Sequence, residues 1–197
     1  MTAFIVVEGI DGCGKSTAAK SLTHALGEDS VLTREPTDSW IGSAVRSGGK
    51  DEVSPYLDAL LFMADRAQHT LQIKKWLDEG RSVVCDRYYH STVAYQTAYL
   101  RRRSLGDNFD WLLKANNRIS IHPDVTFLLV LDPEKAIERV EGRGSSSRFE
   151  KTDFLREVQA NYERLARADD TIVLIDGGDS PERIVDCLLR DIKERKL

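Results

Sequence analysis

Residues 9 to 16 read Gly9-Ile10-Asp11-Gly12-Cys13-Gly14-Lys15-Ser16, a G-x-x-x-x-G-K-[ST] loop. Its flanks are those that such a loop requires. Phe4-Ile5-Val6-Val7 is a short apolar run suited to a buried strand, and Ala18, Ala19, Leu22, Ala25 and Leu26 recur at helical spacing downstream. A strand, a glycine turn and a helix in that order expose unpaired backbone N–H groups and the positive end of the helix dipole to an anion. Gly9, Gly12 and Gly14 let the backbone wrap closely around it. Lys15 is then placed to reach the β- and γ-phosphates of a nucleotide, and the Ser16 hydroxyl to ligate Mg²⁺.

The rest of the chain extends this unit. Four further β-rich segments, near 30–34, 82–86, 125–131 and 171–175, alternate with helical ones. Val83-Val84-Cys85 and Thr126-Phe127-Leu128-Leu129-Val130-Leu131 are unbroken apolar runs, as expected of strands covered on both faces. The pattern predicts an α/β fold: a three-layer sandwich of the P-loop NTPase type, with a five-stranded parallel sheet and helices on both faces. Helices are expected at Pro55 to Glu79, Ser91 to Leu100, Phe109 to Arg118, Pro133 to Glu141, Lys151 to Ala168 and Pro181 to Lys196. With 197 residues and no Pro/Gly/Ser-rich linker, the expectation is one domain over 1–197. The polar, glycine-containing stretch Glu141-Gly-Arg-Gly-Ser-Ser-Ser-Arg148 lies between two helices and reads as a mobile lid near 141–152.

Composition narrows the function. A net charge of −4 argues against a general nucleic-acid coat, which needs Lys/Arg neutralising many phosphates. Cys13, Cys85 and Cys187 fall at unrelated spacings, and neither a signal peptide nor a run long enough to span a bilayer is evident. This predicts a reduced, soluble, cytoplasmic protein with no membrane or nucleic-acid partner. Cys13 stands at a helix N-terminus, where thiol pKa values fall, but at a loop position that accepts many residues.

Charged residues recur at predicted strand ends. Asp86 closes Ser82-Val83-Val84-Cys85 and is followed by Arg87, putting an acid and a base at the edge where such sheets bind ligands. Asp86 is Walker B-like, able to hold Mg²⁺, and Arg87 can clamp a phosphate bidentately. Arg34-Glu35-Pro36 follows another strand and brings a further guanidinium to that edge.

Together these pieces resemble the thymidylate kinases, P-loop enzymes that phosphorylate dTMP to dTDP. The resemblance spans nearly the whole chain. It rests on Glu8-Gly9-Ile10-Asp11-Gly12-x-Gly14-Lys15-Ser16-Thr17, Arg34-Glu35-Pro36-Thr37, Leu61-Phe62-x-Ala64-x-Arg66, Asp86-Arg87-Tyr88, Ser91-Thr92-x-Ala94-Tyr95-Gln96, Pro123-Asp124, Leu131-Asp132 and Arg148-Phe149-Glu150.

The resemblance implies roles. ATP is the phosphoryl donor, held with Mg²⁺ by the loop from Gly9 through Asp11, Gly12, Cys13, Gly14, Lys15, Ser16 and Thr17. Phe62 stacks on thymine and Arg66, one helical turn on, donates to its O4. Thr92 or Ser91 touches the base edge, and Tyr95 fills the space a ribose 2′-hydroxyl would need. Arg34 and Arg87 hold the 5′-phosphate, Asp11 stands near the sugar 3′-hydroxyl, and Glu8 is a structural or Mg²⁺-shell acid. The family carries its catalytic arginine either in the loop or in the lid. Gly12 here points to the lid type, with Arg143 and Arg148 as the donors of positive charge. Ser147 stands where an acid often precedes the lid arginine, and Arg101-Arg102-Arg103, read as a solvated helix face, replaces a stretch often rich in glycine. The family is usually homodimeric. The rival readings are another P-loop nucleotide or deoxynucleoside kinase, and a non-catalytic nucleotide switch; the latter is disfavoured because no Asn-Lys-x-Asp guanine-reading motif occurs.

Overall fold

Thirteen elements follow one another in the computed structural model, which describes residues 2–48, 54–141 and 148–197. The strands are β1 (Phe4–Gly9), β2 (Ser30–Arg34), β3 (Ser82–Asp86), β4 (Val125–Val130) and β5 (Ile172–Asp176). The helices are α1 (Lys15–Leu26), α2 (Trp40–Ser47), α3 (Pro55–Asp78), α4 (Tyr89–Arg102), α5 (Phe109–Ile119), α6 (Pro133–Glu141), α7 (Arg148–Ala166) and α8 (Pro181–Arg195). The strands form one parallel sheet in the order β2-β3-β1-β4-β5. Helices α1 and α8 pack together against it, while α3, α4 and α7 pack with one another and against β3, β1 and β5 respectively. Phe4, Val6, Val83, Val84, Phe127 and Leu129 are almost wholly buried, which is why β1, β3 and β4 read as unbroken apolar runs rather than alternating ones.

Because every strand runs the same way, Gly9, Arg34, Asp86, Val130 and Asp176 all end at one edge. The central strand is flanked by β3 and β4, so its exit loop lies between the connections that leave both neighbours.

Most expected elements are present within a residue. Three differ. Helix α4 begins at Tyr89, two residues before the expected Ser91, because the Glu8 carboxylate receives the backbone N–H groups of Tyr88 and Ser91 at the start of the helix. Helix α7 starts at Arg148, inside the stretch read as lid, and stops at Ala166. Helix α2 was not anticipated: it is eight residues long and is capped by the Ser39 hydroxyl, which accepts from Gly42 N–H at 3.1 Å.

Candidate active site

The loop after β1 builds the site's floor. Gly14 caps α1 in a left-handed conformation with no side-chain cap hydrogen bond, leaving the first-turn N–H groups of α1 for another acceptor. Gly9 also has positive φ, and a Cβ there would meet the Leu129 carbonyl and the Cys13 sulfur. Gly12 abuts the Ala136 carbonyl of α6, so the loop is clamped against that helix. Lys15 is 6 % exposed; its Nζ donates to Ile10 O at 3.2 Å and lies 3.5 Å from Asp11 Oδ1. Burial raises the Cys13 thiol, so the loop does not make this cysteine an acidic, reactive thiol.

Asp11 joins two halves of the site. Its Oδ1 also receives a hydrogen bond from Arg87, and its backbone N–H donates to Tyr95 Oη at 3.0 Å. Burial acts to raise the Asp11 pKa, but the Arg87 and Lys15 charges outweigh it and the carboxyl is held below its ordinary value. Arg87 has φ of 73°, unusual for a residue with a side chain. It is held there from several sides. Its N–H donates to Val7 O at 3.0 Å, its carbonyl accepts from Cys85 Sγ at 3.0 Å, and its guanidinium donates to Ser91 Oγ at 2.9 Å and lies over the Tyr95 ring at 5.1 Å.

Across the sheet edge, Arg34 and Asp86 are register partners on β2 and β3. They line a cleft of about 670 Å³ with Ser16, Thr37, Gln68 and His69. Arg34 is exposed and bonded to Asp38 at 2.7 Å. Oδ1 of Asp86 is buried with no hydrogen-bond partner among the described residues. An orphaned carboxylate oxygen in the same cleft as a serine hydroxyl is a donor set that suits Mg²⁺, a hard cation bound through few protein oxygens.

Deeper in, Arg66 is 1 % exposed and fully engaged except at Nε. It donates to Glu35 Oε2 at 2.5 Å, Asn116 Oδ1 at 2.5 Å and Thr92 Oγ1 at 3.0 Å. Glu35 Oε1 lies 3.0 Å from His69 Nδ1, and the other ring nitrogen lies 2.8 Å from Thr33 Oγ1. Phe62 is half-buried one turn before Arg66 on α3.

The structure therefore gathers Asp11, Lys15, Arg87 and Tyr95 around the loop, Arg34, Ser16 and Asp86 around the cleft, and Arg66 with Thr92 behind. Ser91 and Thr92, the two alternatives for the base edge, face different partners. The Ser91 hydroxyl turns to Arg87, Glu8 and Tyr162, and Thr92 takes the side facing Arg66. Arg143 lies outside the described residues; Arg148 is placed at the start of α7. Sequence reading missed Asn116, His69 and Asp65. Asp65 is buried and ties the Thr37 and Ser39 hydroxyls at 2.5 and 3.0 Å, fixing the turn after Arg34. It also missed Arg139, which donates to Gly177 O at 3.0 Å and reaches Gly12 O at 3.5 Å beside the loop.

A P-loop on the central strand of a sheet ordered β2-β3-β1-β4-β5, faced by arginines at the neighbouring strand exits, defines a phosphotransferase of the nucleoside monophosphate kinase class. The sequence model described as thymidylate kinase matches residues 7–187. A probable thymidylate kinase of Methanocaldococcus jannaschii is 43 % identical over 173 residues, which cover 87 % of this chain and 85 % of that protein. One of Methanococcoides burtonii is 39 % identical over 175 residues, 87 % of each chain. The solved thymidylate kinase of Candida albicans superposes with a TM-score of 0.83 at 28 % identity, covering 99 % of this chain and 92 % of the other. The chain belongs to the thymidylate kinase family.

Proposed function

We propose that the protein transfers the γ-phosphoryl group of ATP to dTMP, giving ADP and dTDP on the route to dTTP. The supporting observation is Asp11, whose one carboxylate oxygen lies between Lys15 on the donor side and Arg87 on the acceptor side. The nucleophile needs no strong base, because a phosphomonoester with its second pKa of about 6 is largely dianionic at neutral pH. The work left to the protein is positioning and charge neutralisation. Lys15 and the α1 N-terminus hold the donor phosphates, and Arg34 and Arg87 hold the acceptor phosphate. Ser16 and Asp86 are the residues that would hold Mg²⁺, which when bound neutralises charge on the β- and γ-phosphates. Arg143 and Arg148 remain the proposed lid donors; alanine at each should lower kcat more than it raises the dTMP KM.

Acceptor choice follows from Arg66. Its guanidinium is held in place by Glu35, Asn116 and Thr92, and we read it, as the family resemblance implies, as the donor to a base carbonyl such as thymine O4. Cytosine places an amino group there and leaves two donors facing, whereas dUMP lacks only a methyl, worth about 1–3 kcal/mol. Steady-state kcat/KM for dTMP, dUMP, dCMP and dGMP should fall with dTMP first, dUMP moderately lower and dCMP far lower. A best acceptor of dCMP or dGMP would end the thymidylate reading.

We read the described residues as one domain working in the cytoplasm; among them no helix is long and apolar enough to cross a membrane. We also propose a homodimer. Leu57, Leu60 and Leu71 of α3 are 36, 52 and 60 % exposed and, with exposed Ala64 between them, recur on one helix face. Leu60→Asp should shift the mass measured by light scattering to that of one chain.

A further inference from the structure

Glu8 is the last side chain of β1 before the P-loop glycine and is fully buried. Among the described residues no lysine or arginine side chain is hydrogen-bonded to it. Instead its Oε1 accepts from Tyr88 N–H at 2.7 Å and Ser91 N–H at 3.1 Å, and its Oε2 accepts from the Ser91 hydroxyl at 2.7 Å and the Tyr162 hydroxyl at 2.8 Å. A carboxylate with both oxygens filled by four donors is satisfied by its surroundings rather than waiting for a ligand. His90 Nδ1 lies 3.8 Å from Oε1, and the Arg87 charge is near enough to oppose the rise in the Glu8 pKa that burial causes.

The direction of these bonds matters. Arg87 donates to Ser91 Oγ, so that oxygen must offer a lone pair to Arg87 and send its own proton elsewhere. Glu8 Oε2 receives that proton. The same carboxylate pins the N–H groups on either side of the turn that follows Arg87, a residue in a left-handed backbone conformation that persists only where its surroundings over-determine it. Tyr162 brings α7 into the same arrangement through Glu8 and Ser91.

We propose that Glu8 is a positioning residue for the acceptor phosphate, acting through Ser91 and the Tyr88 turn to fix where Arg87 presents its guanidinium. This rests on the reading that Arg87 holds the 5′-phosphate of dTMP. Glu8→Gln keeps the size and an acceptor for the two backbone N–H groups, but sets an NH₂ donor against the two hydroxyls. Ser91 Oγ must then accept from Gln as well as from Arg87 and turn its own proton to Tyr162, so the Arg87–Ser91 bond is no longer backed by a carboxylate and its geometry is no longer fixed.

The test is a double-mutant cycle of Glu8→Gln and Arg87→Ala, with dTMP and ATP KM values and kcat measured separately. Weakened placement of the Arg87 guanidinium, taken as worth up to one charge-assisted hydrogen bond, predicts a rise of up to about tenfold in the dTMP KM of Glu8→Gln, with the ATP KM within about twofold of wild type. In the double variant the Glu8→Gln change should add almost nothing to Arg87→Ala. Equal rises in both KM values, or a full extra effect on top of Arg87→Ala, would overturn the proposal. If Glu8→Gln does not fold by circular dichroism, Ser91→Ala carries the same cycle, since it removes the oxygen through which Glu8 acts. An Arg87→Ala variant with wild-type dTMP KM would instead defeat the phosphate reading on which the proposal stands.

Discussion

The Lys15 ammonium lies 3.5 Å from Oδ1 of Asp11, the oxygen that also receives the Arg87 hydrogen bond. Among the described residues the Lys15 ammonium bonds to Ile10 O and to Asp11, both within the loop. Its role is therefore separable from the stability of the sheet. Lys15→Ala should leave the circular dichroism spectrum and melting curve near those of wild type while coupled ADP release falls to background. Near-normal turnover in this variant would defeat the assignment of the loop.

Glu35 and Arg66 form a pair of 5 % and 1 % exposure, with His69 on the other carboxylate oxygen. Removing one member strands the other's charge. Glu35→Ala should cost about 3–5 kcal/mol in urea unfolding, because the guanidinium keeps only its neutral partners Asn116 and Thr92. A loss below about 1 kcal/mol would show that water replaces the carboxylate.

His90 is 1 % exposed, stacked on Tyr89 with ring centroids 3.9 Å apart, and neither ring nitrogen has a hydrogen-bond partner among the described residues. Burial drives its pKa down to about 3; Asp169 opposes this, while Arg66 and His122 add to it. The folded state thus refuses a proton that the unfolded chain accepts below its ordinary value of 6.5. Stability is full above that value and is lost as pH falls towards 3, at up to about 1.4 kcal/mol per pH unit. His90→Phe keeps the stack and removes the titration. Its unfolding free energy should fall less steeply than that of wild type between pH 7 and pH 5; parallel profiles would show that His90 is protonated in the fold.

Gly12 has φ of +84°, and a Cβ there would run into the Ala136 carbonyl. An arginine cannot be moved from the lid into this loop without displacing α6. Gly12→Arg should lower the melting temperature, raise the ATP KM and fail to restore turnover to an Arg148→Ala variant. Recovery of turnover in that double variant would show that the loop can open to admit the side chain.

The parallel sheet and the phosphate-binding loop were legible because their signals are local: apolar runs of strand length, and a motif whose parts are neighbours in the chain. The surroundings of Arg66 were not. Its partners Glu35, Thr92 and Asn116 stand 31, 26 and 50 residues away, and Asn116 looks in sequence like one more polar residue on an amphipathic helix. Helix α2 escaped notice for a related reason: its capping Ser39 is anchored by Asp65, 26 residues on. Ser91 and Thr92 could not be told apart because adjacent helical side chains diverge by about 100°, and which of them faces Arg87 depends on Glu8 from another element.

The arginines proposed for the acceptor site live in two electrical climates. Arg34, 61 % exposed, sits within reach of dissolved ions, whereas the neutralised Arg66 lies where the ionic atmosphere does not penetrate. Rising ionic strength should thus erode the grip on the nucleotide's phosphate while leaving the ranking of its bases intact, so that affinity and fidelity part company in salt.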